Sequence, residues 1–150
     1  MDYLLEQYDM EKRLSFTTMQ EQYHMKQWLQ FQTTTQGPTL QRIFHWAFLK
    51  SNPAARSSYI NEFRRVLQVL NDELAERQWL VGDKCSAADL SFVPFHSRLD
   101  FIMRDDKPDV EVEFPYLDAW YKRMLQRATV QKVLADHRIA LKSITLPGGK

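Results

Sequence analysis

Apolar residues recur along this chain at intervals of three and four, and strand-like alternation is almost absent. Residues 2–8 bring Tyr3, Leu4, Leu5 and Tyr8 to about one helical face. So short a helix does not hold alone in water. The segment must dock on something, or belong to an element whose start is missing. A first long helix is predicted from about Thr17 to Thr34, carried by Met19, Tyr23, Met25, Trp28, Leu29 and Phe31. Gly37-Pro38 then punctuates the chain. A second helix runs from about Thr39 to Lys50 on Leu40, Ile43, Phe44, Ala47 and Phe48. Ser51-Asn52-Pro53 breaks it, and Pro53 suits the first turn of the next helix.

The third helix, about Ala54 to Gln78, carries the stripe Tyr59, Phe63, Val66, Leu67, Leu70 and Leu74. A turn at Leu80 to Lys84 leads to a fourth helix that starts at Ser86 and runs through Ile102. It is apolar almost all round, as a helix buried on most sides must be. Pro94 lies inside it and is expected to kink it. Asp105 to Glu113 is charged, contains Pro108 and reads as a surface loop. A fifth helix covers about Pro115 to Arg127 and a sixth about Thr129 to His137, with Ile139 to Lys150 as a mobile tail. The fold class is all-α: a helical bundle around a central buried helix.

Composition narrows the function classes. The 150 residues suit one domain, and 20 basic against 19 acidic side chains leave a net charge of +1. No basic field exists for nucleic acid or a membrane surface, and no apolar run is long enough to span a bilayer. The single cysteine, Cys85, rules out an internal disulfide and suits a reducing, cytoplasmic setting. Neither glycine-rich phosphate-binding motif is present. The four histidines (His24, His45, His96 and His137) make no metal-ligand spacing. His96 and Asp100, four apart, read as a polar pair on the helix surface. Cys85 reads as a small apolar residue at a helix entrance.

The most specific stretch is Trp79 to Leu90, WLVGDKCSAADL. Ser86 is a good N-cap, and Asp89 can reach back to it as a capping box with a shorter acid. Such a box at the head of a buried helix must satisfy its own polar groups, at a cost of about 1–3 kcal/mol for each one left unpaired. This pattern resembles the start of the central helix in the C-terminal domain of glutathione S-transferases. Gln27 to Gln32 with Gln36-Gly37-Pro38, then Tyr59 to Leu70, then Phe114 to Met124 resemble successive helices of a fungal branch of that family, the branch of the yeast nitrogen-regulator prion. The resemblance covers about Tyr3 to Leu134.

The resemblance also implies what stands outside the chain. In the family, glutathione binds mostly to an N-terminal thioredoxin-like domain, which supplies the catalytic residue. Tyr3-Leu4-Leu5-Glu6-Gln7-Tyr8-Asp9 matches the end of that domain's last helix. Residues 1–9 therefore read as its remnant, 10–138 as the helical domain and 139–150 as the tail. A start inside a helix motif also fits a truncated or wrongly started version of a longer enzyme. The family's Ser-Gly-Gln-Gly-Pro-Tyr is Thr34-Thr35-Gln36-Gly37-Pro38-Thr39 here, and Ser57-Ser58-Tyr59 stands where relatives often have Glu-Arg-Tyr.

By the same resemblance, Trp28, Phe31, Gln32, Thr35 and Gln36 face the cleft where electrophilic co-substrates lie, with Ser86 and Asp89 as the structural capping box. No catalytic residue and no metal site are expected, and no cofactor is expected to bind this chain. Glutathione enters as co-substrate only if a thioredoxin-like domain is supplied. Two function classes follow. One is a transferase half-site in detoxification or fungal secondary metabolism, inactive alone. The other is a non-catalytic interaction module, whose exposed interdomain face takes a second copy or a thioredoxin-like or transferase partner.

Overall fold

The computed structural model describes residues 1–46 and 52–143, and every regular element among them is helical. In order these are α1 (Asp2–Tyr8), α2 (Met19–Phe31), a π-helical turn (Gln32–Gln36), α3 (Gly37–His45), α4 (Pro53–Leu74), α5 (Ala87–His96), α6 (Leu99–Met103), α7 (Val110–Glu113), α8 (Pro115–Leu125) and α9 (Ala128–Ser143). A 3₁₀ turn, Arg104–Asp106, follows α6. The all-α bundle expected from the periodicity is the fold observed.

Four boundaries differ from the sequence reading, each for a local reason. Gly37-Pro38 does not break the chain. Pro38 has no N–H to offer and its ring crowds the carbonyl four residues back. The helix answers by widening: the Gly37 N–H bonds to the Gln32 carbonyl, five residues behind, and α3 continues from there. The long fourth helix is divided instead at Ser97-Arg98. There Ser97 N–H closes on Val93 O at 3.0 Å, Arg98 N–H on Phe95 O at 3.1 Å, and the Ser97 hydroxyl on Pro94 O at 2.8 Å. The charged loop holds one helical turn, α7, capped by the Asp109 side chain. Finally α9 runs on to Ser143, so residues 139–143 are helical. Ala47 to Ser51, the end of the second predicted helix, and residues 144–150 lie outside the described residues.

α5 is the central element. It packs against α2 on one side and α8 on the other, while α4 lies across α3 and α8. Ala88, Asp89 and Phe92 are fully buried, among Phe63, Leu67, Leu70, Leu117, Trp120 and Met124. A charged carboxylate at that depth needs strong partners. Asp89 has four. Oδ2 accepts the Ser86 backbone N–H and hydroxyl, both at 2.8 Å, and Oδ1 accepts the Leu80 N–H at 3.0 Å and the Trp120 indole N–H at 2.9 Å. The capping box is therefore also the tie between α5, the turn before it and α8.

Two further polar ties hold the periphery. Asn71 on α4 is buried, and its Oδ1 caps α8 by accepting the N–H groups of Tyr116 and Leu117 at 3.1 and 3.3 Å. Asp9 organises the N-terminal loop, accepting from Arg13 N–H, Leu14 N–H and the Ser15 hydroxyl at 2.7–3.0 Å. Leu14 O in turn takes the Ala87 N–H at 2.8 Å, so the loop closes on the head of α5. Gly82 makes the intervening turn at φ +59°, where a Cβ would lie 2.8 Å from the Phe16 ring.

Asp89→Ala strands the Leu80 N–H, the Ser86 N–H and the Trp120 indole N–H in the core. It is expected to cost about 3–5 kcal/mol in urea unfolding followed by tryptophan fluorescence. Ser86→Ala, which removes the hydroxyl alone, is expected to cost about 1 kcal/mol. A loss below about 1 kcal/mol for Asp89→Ala would show that the carboxylate is not the tie described.

Candidate functional site

Trp28, Gln32, Gln36 and Leu40 are all buried, and each follows the last by four residues. In an uninterrupted α-helix of 3.6 residues per turn, a step of four overshoots by about 40°, and the stripe would wind off the core. The wider π turn at 32–36 takes up part of that drift and keeps all four side chains inward. Proline thus sets which residues of this stretch face the core and which face out.

The five residues expected at a co-substrate cleft separate accordingly. Trp28 and Gln36 belong to the interior. Trp28 meets Phe31 and Phe92 edge-on, with ring centroids 5.5 and 6.4 Å away. Gln36 reaches His96 Nδ1 at 3.3 Å, and that nitrogen also lies 3.2 Å from Phe92 O. Phe31 and Thr35 are half-buried. Gln32 lines an open groove of about 530 Å³ with Gly37, Leu40, Phe44, Phe95 and Ile102. Gly37 has a reason to be small there, because a Cβ would stand 3.4 Å from the tip of the Phe95 ring. The groove is mostly apolar with a few amides and hydroxyls, a composition that suits an apolar small molecule.

Of the groove residues the sequence reading named only Gln32 and missed the rest, Leu40, Phe44, Phe95 and Ile102 among them. A signal was present: α5 and α6 carry more apolar positions than one buried face requires.

His96 corrects the surface pair proposed for it. The break at Ser97-Arg98 takes Asp100 off the helical face, where it pairs with Lys107 at 2.6 Å. His96 itself is buried between Trp120 and Tyr121, with ring centroids 5.7 and 5.3 Å away. Burial pushes its pKa down to about 4, so the ring is neutral at pH 7. Trp28 Nε1, Gln36 Oε1 and His96 Nε2 have no hydrogen-bond partner among the described residues, which makes this a polar seam inside the core.

Cys85 is buried, its Sγ 3.7 Å from Met124 Sδ. Burial, with the Asp89 charge adding to it, pushes the thiol up to about 12 against a smaller opposing effect of Arg127. It is no nucleophile at neutral pH. Among the described residues no group of three His, Cys, Asp or Glu is placed to hold a metal ion, and no helix is long and apolar enough to cross a membrane. One surface is conspicuously apolar: Tyr3, Leu4, Tyr8, Met10, Met19 and Tyr23 are all more than half exposed around α1 and the start of α2.

Known proteins resemble this arrangement. The family model for the glutathione S-transferase C-terminal domain matches residues 48–128. The glutathione S-transferase-like protein gedE of Aspergillus terreus is 37% identical over 147 residues, covering 90% of this chain and 65% of that protein. Glutathione S-transferase 2 of Schizosaccharomyces pombe is 35% identical, with 89% and 64% covered. Among solved structures, Ure2p5 from Phanerochaete chrysosporium, cocrystallized with 1-(S-glutathionyl)-2,4-dinitrobenzene, superposes with a TM-score of 0.87 at 31% identity. The match covers 95% of this chain and 68% of that one. The chain spans a little under two thirds of the length of the curated relatives it matches.

The seam makes a pH prediction. His96 binds its proton below about pH 6.5 when unfolded, but only near pH 4 when folded. Its contribution to stability is complete above pH 6.5. It falls by about 1.4 kcal/mol per pH unit between 6.5 and 4, because only the unfolded state takes up the proton there. Unfolding free energies measured for wild type and His96→Gln at pH 7, 6 and 5 are expected to show that slope as the difference between the two proteins. Parallel curves would overturn the assignment.

Proposed function

The chain belongs to the glutathione S-transferase family, as its C-terminal helical domain, and on that premise we propose that it supplies the co-substrate half of a glutathione conjugation site. The observation that carries this reading is the apolar groove beside the π turn, formed by Gln32, Gly37, Leu40, Phe44, Phe95 and Ile102. Phe31 and Thr35 are half-buried and do not line it. Trp28 and Gln36 are buried and do not line it, so in this reading they do not touch the electrophile.

In this mechanism a thioredoxin-like domain holds glutathione and lowers the pKa of its thiol. The thiolate sulfur forms a bond to an electrophilic carbon, and a leaving group departs from that carbon with the bonding pair, or an addition product takes up a proton from water. This chain orients the apolar body of the electrophile and excludes water from it. Two of its reactive groups are unsuited to activating a thiol: Cys85 is a buried thiol and His96 a buried neutral ring. The family setting is detoxification or fungal secondary metabolism. A reducing cytoplasm, in which a lone thiol stays reduced, suits that work.

A second reading rests on the apolar surface around α1 and α2. Met19 and Tyr23 are 73% and 65% exposed, and a patch of this kind fits a partner domain or a second copy of the chain. The two readings coincide if the partner is the thioredoxin-like domain.

Two measurements test this. The purified chain with glutathione and 1-chloro-2,4-dinitrobenzene is expected to show no saturable turnover; turnover by the chain alone would overturn its role as a half-site. Joined to the thioredoxin-like domain of a full-length relative, it is expected to turn over. Phe44→Ala should then raise KM for the electrophile about 3–10-fold and leave that for glutathione unchanged. An unchanged electrophile KM would remove the groove from the site. A joined protein that folds but stays inactive would favour the interaction module.

A further inference from the structure

The π turn leaves one backbone carbonyl without a helical donor, and that carbonyl belongs to a residue lining the apolar groove. In an α-helix the Thr33 carbonyl takes the N–H of Gly37, and in a π turn that of residue 38. Neither reaches it. The Gly37 N–H is committed to the Gln32 carbonyl, and Pro38 has no N–H. The neighbouring hydroxyls turn elsewhere. Thr33 Oγ1 lies 3.1 Å from both Leu29 O and Gln30 O, Thr34 Oγ1 donates to Gln30 O at 2.7 Å, and Thr39 Oγ1 to Thr35 O at 2.7 Å. Helix carbonyls point toward the C-terminal end, so this one opens on the next turn, at Gly37 and Pro38. Thr33, Gly37 and Pro38 all line the groove. Thr33 is exposed, so its unpaired acceptor costs little while water reaches it.

We propose that the groove selects a neutral aromatic electrophile carrying a hydroxyl group, which donates to the Thr33 carbonyl while the ring lies on Leu40, Phe44, Phe95 and Ile102. The preference rests on the co-substrate reading of this groove and names the class of molecule it takes. Neutrality follows from the walls. Among the described residues no lysine, arginine, histidine, aspartate or glutamate lines the groove, so an ionised substrate would lose water without gaining a counter-charge. The hydroxyl follows from the carbonyl, which accepts and cannot donate. An ether or nitro oxygen at the same place sets a second acceptor against it and leaves both unpaired. Gln32 and Gln41 carry amides that take a donor or an acceptor alike, so the selection comes from the backbone. The register of the π turn thus decides which carbonyl is left over, and with it what the groove recognises.

The probes are 1-naphthol and its methyl ether, 1-methoxynaphthalene, both neutral at pH 7. Each is titrated into the isotopically labelled chain and followed by NMR. The amide signals of Gly37, Phe95 and Ile102 report where a probe binds, and the carbonyl carbon of Thr33 reports the hydrogen bond. 1-Naphthol is expected to bind about fivefold more tightly than the ether, as one net hydrogen bond implies. It should also move the Thr33 carbonyl signal, which the ether leaves in place. Pro38→Ala, checked for folding by circular dichroism, restores an N–H at position 38. Thr33 then gains a donor in either register: Gly37 if the helix returns to α, position 38 if the π turn persists. The two affinities should become equal. No shift at the groove amides, equal affinities in wild type, a Thr33 carbonyl signal that 1-naphthol does not move, or a preference that survives in folded Pro38→Ala would each overturn the proposal. Binding is read without turnover, so the two readings fail separately. A preference for 1-naphthol beside an inactive joined protein would remove the transferase role and leave the selectivity. Equal affinities beside an active joined protein would do the reverse.

Discussion

A carboxylate with no solvent sits at the middle of this domain, and much of its architecture follows from satisfying it. Asp89 is fully buried at the head of α5, a helix that is apolar on most of its sides. No lysine or arginine pairs with it among the described residues; four N–H and O–H donors take that place. Those donors come from three places: the cap residue Ser86, the preceding turn at Leu80, and Trp120 on α8. Each must arrive with its own element correctly placed, since a missing donor leaves charge uncompensated in the core. This geometry is one reason why the turn needs Gly82 and why Leu14 closes on Ala87. The interaction specifies arrangement as much as it stabilises it.

A second constraint works on the opposite side of α5. Pro38 denies the helix one donor, and the π turn is the least disruptive accommodation, since it keeps the chain helical and the stripe Trp28–Gln32–Gln36–Leu40 inward. A clean break at this point would have let α3 turn away from α2 and removed the shared wall they present to Phe95. The groove is thus a by-product of how one proline is absorbed, and Gly37 allows the ring to approach.

The sequence made local features legible and left non-local ones hidden. Ser86 and Asp89 are three residues apart, so their box could be inferred; that Leu80 and Trp120 complete it depends on how distant helices pack. Asn71 looks like an ordinary polar residue on a long helix, yet it caps α8 from 45 residues away. His96 and Asp100 were misread because spacing predicts a neighbour only while the helix persists, and here it stops between them. Pro38 was read as a terminator because proline usually ends helices; whether it does depends on whether flanking packing can hold the widened turn. Of Trp28, Phe31, Gln32, Thr35 and Gln36 only Gln32 lines the groove, because which side chains of this stretch face it depends on the phase of the helix through the π turn, and spacing alone does not give that.

The apolar groove borders the π turn, and from that turn one run of contacts, Gln36–His96–Tyr121, crosses α5 to α8. A neutral histidine in an apolar core costs stability unless its contacts are specific, and these contacts run from the π turn on one side to α8 on the other. Movement of Tyr121 cannot be absorbed without moving His96, because close-packed rings leave no free volume. Movement of His96 in turn bears on Gln36, in the π turn that borders the apolar groove. The interior of the domain is therefore a continuous run of specific contacts from the π turn through α5 to α8, and not apolar packing alone.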